Sequence, residues 1–90
     1  MKEMRFSLEE GALMLDALEA LKRYRGAPHV LAKLDALQNR IAAGLLSFTL
    51  GELKNICLGL EVLLCDHPLD WKAGALLQRL RSEFGIQRQL

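Results

Sequence analysis

An all-α fold, a four-helix bundle-like domain built from two antiparallel helical hairpins, is predicted by three features of this 90-residue sequence. Hydrophobic residues make up 51% of the chain but aromatic ones only 6%, so the core must be chiefly Leu and Ala, which favour helices over strands. Two stretches, Ser7-Leu-Glu-Glu10 and Thr49-Leu-Gly-Glu52, carry the reciprocal capping signature of a helix start. Gly and Pro are spaced so as to leave four segments of helix length. A chain of this size suits a single domain spanning 1–90, with hairpin one at about 7–44 and hairpin two at about 49–85.

The first helix starts after Ser7 and is expected to reach about Arg25. Leu8, Leu15, Leu18 and Leu21 line one side, Ala12, Met14 and Ala17 widen it, and Glu9, Asp16, Glu19 and Arg23 face water. Lys22, Arg23 and Arg25 suit the negative end of the helix dipole. Gly26-Ala-Pro28 is a stop followed by a start. The second helix then covers about Pro28 to Ala43, with Val30, Leu34, Leu37 and Ile41 as a narrow stripe and Leu31 beside it. Such a stripe after so short a loop makes helix one its antiparallel neighbour, and Gly44 ends it.

The third helix, Leu50 to Cys65, is the stretch the rest is expected to pack around. Leu53, Ile56, Cys57, Leu60, Leu63 and Leu64 form a broad apolar sector, with Lys54, Asn55 and Glu61 opposite. Leu58, Val62 and Cys65 fall among those polar residues, so the helix is apolar almost all round. It must be covered from more than one direction, by its own chain or by a partner. Pro68 disfavours helix at His67 and ends the segment. The fourth helix begins near Leu69 or Asp70 and runs to about Phe84, with Ala73, Leu76, Leu77, Leu80 and Phe84 in one stripe. Gly85 closes it, and Ile86 to Leu90 are expected to fray. Gly59 and Gly74 each cost about 1 kcal/mol inside a helix, which tight helix crossings would offset.

Phe6-Ser-Leu-x-Glu10 recurs as Phe48-Thr-Leu-x-Glu52, and Leu18-Glu-x-Leu21 as Leu60-Glu-x-Leu63, both at an offset of 42. The two hairpins therefore look like an internal duplication, too few for a solenoid but able to face each other pseudo-symmetrically. They are not equivalent: helix three has exchanged charges of helix one for Leu, Val and Cys, which points to it as the buried or shared element.

A formal net charge of +1 exerts no global pull on nucleic acid or an acidic membrane. Acidic residues crowd the start and basic ones the end, an arrangement that suits a solvated face or a head-to-tail attraction between two copies. The start lacks the apolar stretch of a secretory signal, and the longest apolar run, Ile56 to Cys65, is broken by Glu61 and too short for a bilayer. A soluble cytoplasmic protein is expected.

Catalytic signals are thin, and no enzyme activity is expected. His29 and His67 both adjoin Pro in turns. Cys57 and Cys65 are separated by about 12 Å along one helix and cannot bridge each other. Two Cys and two His without paired spacing give no zinc site, single glycines give no phosphate loop, and no cofactor is expected.

The leading expectation is a non-catalytic protein-interaction module: an adaptor, assembly factor or stoichiometric inhibitor, of the small build common among bacterial and phage accessory proteins. Its surface would be helix three with its flank, Leu58, Val62, Cys65 and Trp71, binding another protein or a second copy in a homodimer. Trp71 lies roughly opposite the helix-four stripe, where it is either tucked back as a staple or exposed as a binding hot spot. The alternative is a nucleic-acid-binding regulator using basic helix four, through Lys72, Gln78, Arg79, Arg81 and Arg88.

Overall fold

The computed structural model describes residues 6–24 and 26–87, and the described residues hold four helices: α1 (Leu8–Tyr24), α2 (Pro28–Ala42), α3 (Leu50–Asp66) and α4 (Trp71–Phe84). Arg25, Arg88 and the rest of the expected C-terminal fray after 87 lie outside them. Both capping boxes form. The Ser7 N–H donates to Glu10 Oε1 at 2.9 Å while the Glu10 N–H donates to Ser7 Oγ at 3.1 Å. Thr49 and Glu52 repeat the exchange at 2.8 and 3.2 Å. Each box satisfies two of the backbone donors that a helix start leaves unpaired. α2 begins with Pro28 in its first turn, and α4 is capped by Asp70, whose carboxylate accepts from the Ala73 N–H at 3.1 Å. Gly44 and Gly85, at φ of +83° and +64°, make the left-handed stops after α2 and α4.

α1 and α3, 17 residues each, share the broadest helix contact, with α2 against α1 and α4 against α3. Residues 42 apart meet along this central seam. The rings of Phe6 and Phe48 lie 5.8 Å apart, tilted by 58°. Lower down, a Cβ on Gly59 would lie 3.2 Å from the Ala17 methyl and would run into the Ala17 carbonyl. Met14 and Ile56 are both sealed from solvent, as are Leu18 and Leu60. Positions related by the 42-residue offset thus lie side by side at Phe6 and Phe48 and at Ala17 and Gly59. A radius of gyration of 12.0 Å matches the roughly 12 Å expected of a compact chain of this length, so the hairpins close on each other within one chain.

Several expectations need correcting. Leu58 is buried within the chain, at 4% exposure, because α3 is held between α1 and α4 and hides a wider arc than an outer helix does. Glu61, expected on the solvent side, is buried for the same reason. Leu8, expected in the core, is 87% exposed at the first position of α1. Ile86 does not fray but packs into the core at 5% exposure. Gly59 does mark a tight crossing, whereas a Cβ on Gly74 would meet no atom within 4 Å.

Candidate functional site

On α4, Lys72, Ala75, Leu76 and Arg79 recur at the three- and four-residue spacing that puts side chains on one helical face. That face looks across to Glu9, Glu10 and Leu13 in the first turns of α1. Together with Trp71 they line a groove of about 610 Å³. Leu76, which is buried, and half-buried Leu13 supply apolar walls. Ion pairs span the groove from basic α4 to acidic α1, Lys72 to Glu9 and Arg79 to Glu10. The Lys72 ammonium also lies 5.8 Å from the Trp71 ring centre, and the Arg79 guanidinium 5.7 Å from that of Phe6, both within cation–π range.

The electrostatics favour the charged forms of Glu10 and Lys72. Burial pushes the Glu10 carboxyl up, but the Ser7 backbone N–H and the Arg79 guanidinium outweigh it and hold the group below its ordinary value. The hydrogen bond and charge of Glu9 raise Lys72 above the usual lysine value. Trp71 is 74% exposed at the rim of the groove, so of its two expected settings the structure shows the exposed one.

Of the other residues expected to form an interaction surface, Leu58 is withdrawn into the core, Val62 is half-buried and Cys65 is exposed. Val62 and Cys65 sit on the last turns of α3 and do not line the groove that Trp71 borders. Among the residues considered for nucleic acid, Lys72, Arg79 and Arg81 hold the carboxylates of Glu9, Glu10 and Glu61. Gln78 is exposed, and Arg88 lies outside the described residues.

Sequence reasoning missed a buried cluster of Cys57, Glu61 and Arg81. The Glu61 side chain is 6% exposed and pairs with Arg81, whose own side chain is 31% exposed and whose Nε is buried without a hydrogen-bond partner. Burial, partly offset by the Arg81 charge and reinforced by that of Glu61, pushes the Cys57 thiol up to about 11, so it stays protonated and unreactive near neutral pH. A lone carboxylate inside the apolar run Ile56 to Cys65 was the available signal, since such a residue is buried only when paired. Among the described residues no three His, Cys, Asp or Glu side chains gather as a metal site, and no helix is long and apolar enough to cross a membrane.

Comparison of the chain with protein-family models, with curated proteins and with solved structures finds no match.

Proposed function

We propose that this chain is a small, non-catalytic, cytoplasmic protein-interaction module, an adaptor, assembly factor or stoichiometric inhibitor, that grips its partner through Trp71 and the α1–α4 groove. The reading rests on one observation: a Trp, the residue type most enriched at binding hot spots, exposed at 74% beside an apolar-walled groove. Val62 and Cys65, exposed to different degrees at the end of α3, extend the accessible apolar surface. Leu58, being buried, serves the fold instead. The ion pairs of Lys72, Arg79 and Arg81 favour protein over nucleic acid as the partner, because the carboxylates of Glu9, Glu10 and Glu61 already offset the positive charge that would attract phosphate.

Affinity capture with the native chain, Trp71→Ala and Val62→Glu tests the proposal. A stoichiometric partner held by the native chain and lost with Trp71→Ala is the expected result. Equal retention by the native and Trp71→Ala chains removes the groove as the binding surface, and loss with Val62→Glu alone moves it to the end of α3. Salt-sensitive retention of mixed-sequence DNA or RNA, abolished by Arg79→Glu with Arg81→Glu, would instead establish the nucleic-acid reading.

A further inference from the structure

We infer that the α1–α4 groove is self-complementary and that its occupant is the same groove of a second copy of this chain, related by a twofold axis running along the groove. This deepens the interaction reading above and rests on it. The argument begins with charge. One wall of the groove, from α1, is acidic through Glu9 and Glu10, and the other, from α4, is basic through Lys72 and Arg79. Rotation by half a turn about the groove direction lays the acidic wall of each copy over the basic wall of the other, so both sides match at once. That is the isologous geometry of closed dimers. A twofold across the groove would instead set acid against acid.

The charges can serve both contacts. Glu9 and Lys72 pair within the chain yet keep 61% and 50% of their side-chain surface in solvent. A carboxylate accepts about four hydrogen bonds and an ammonium donates three, so each can hold its own partner and add one across the axis. Apolar surface supplies the attraction. Trp71 of one copy covers the half-buried Leu13 of the other. The two most exposed large apolar residues among those described, Leu69 at 92% and Leu8 at 87%, stand two positions before Trp71 and one before Glu9. Both lie at the end of the groove marked by the Glu9–Lys72 pair and extend the contact there. Aromatic anchors in a charge-matched rim are the usual energetic centre of such interfaces.

Light scattering on size-separated protein over a range of concentrations should give twice the mass of one chain for the native sequence. Trp71→Ala should weaken association by roughly tenfold or more, while its far-ultraviolet circular dichroism stays native because the side chain lies outside the core. Glu9→Lys and Lys72→Glu should each be monomeric alone, with like charges facing across the axis. Mixed in equal amounts they should form a heterodimer, read by native mass spectrometry, since the mixed pair restores opposite charge on both sides. A native chain that stays monomeric, a dimer untouched by Trp71→Ala, or a mixture that fails to pair would overturn the inference. A monomer that still captures a foreign partner through Trp71 leaves the interaction module standing without self-pairing. A Trp71-dependent dimer with no foreign partner does the reverse.

Discussion

Glu19 and Glu61 occupy the same place in the two hairpins, nine residues beyond the glutamate of their capping box, yet they live in different surroundings. Glu19 is exposed, accepts from Gln38 Nε2 at 3.1 Å and lies 3.7 Å from Lys22. Glu61 is sunk against Arg81 beside the Cys57 thiol. One residue type at one helical position is thus a surface charge in one half and a buried one in the other. The same contrast separates exposed Asp16 from buried Leu58, and the Ala17 methyl from the bare Gly59. Identical residues in the two halves thus differ in burial because α3 is flanked by both α1 and α4, and the residues that break the repeat match those different surroundings.

The sharpest way to break this comparison is to make the halves alike. Gly59→Ala should destabilise the chain by about 3 kcal/mol, because the added Cβ meets helix backbone, which cannot rotate aside. The reciprocal Ala17→Gly should lose only about 1–2 kcal/mol, from helix propensity and a buried methyl. Urea denaturation of both variants measures the difference, and equal losses would mean the crossing is looser than the geometry shows.

A smaller effect is expected at the carboxylates. Glu61→Ala should cost about 2 kcal/mol by leaving Arg81 without its partner, below the usual penalty for a broken buried pair because that guanidinium is partly in solvent. Glu19→Ala should leave the unfolding midpoint almost unchanged. If the two variants unfold alike, the burial of Glu61 carries no energetic weight.

The capping glutamates should respond to acid in parallel. Burial pushes Glu52 up, as it does Glu10, but the backbone N–H of the capping residue and an arginine, Arg40 for Glu52 and Arg79 for Glu10, outweigh it. Both carboxyls therefore fall below the ordinary 4.5 in the folded chain. A depressed carboxylate contributes stability that is fully present above its unfolded value and is lost as pH falls through the folded one. The thermal midpoint should stay level from neutral to about pH 5 and drop below that, with a shallower drop in Glu10→Gln with Glu52→Gln. The smallest contrast is chemical. In native protein near neutral pH, a thiol reagent should label exposed Cys65 and spare Cys57, and rapid labelling of both would show that the interior opens readily.

Much of the fold was legible in the sequence because helix ends are written locally. Ser7, Thr49, Pro28, Gly44 and Gly85 each act through backbone geometry within a few residues, so all four helices could be placed before any packing was known. Burial was less legible, since it depends on how many neighbours flank a helix. A wheel drawn for α3 marks Leu58 and Glu61 as facing water, and only the presence of both α1 and α4 beside it reverses that. The groove could be read only in part. Trp71, Lys72 and Arg79 stood out by type, but the acidic partners of Lys72 and Arg79 lie more than sixty residues earlier, and nothing local announces that Lys72 meets Glu9.

The mismatch at the central crossing also governs which halves accept each other. Two first hairpins set together would bring Ala17 against Ala17, the arrangement in which a Cβ at position 59 has no room. Two second hairpins would place Gly59 opposite Gly59 and leave a gap where the methyl now sits. Only unlike halves fit as knob and socket, a distinction that a true homodimer of identical hairpins cannot make, because each residue there faces its own copy. Joining the halves in one chain allows that division of labour.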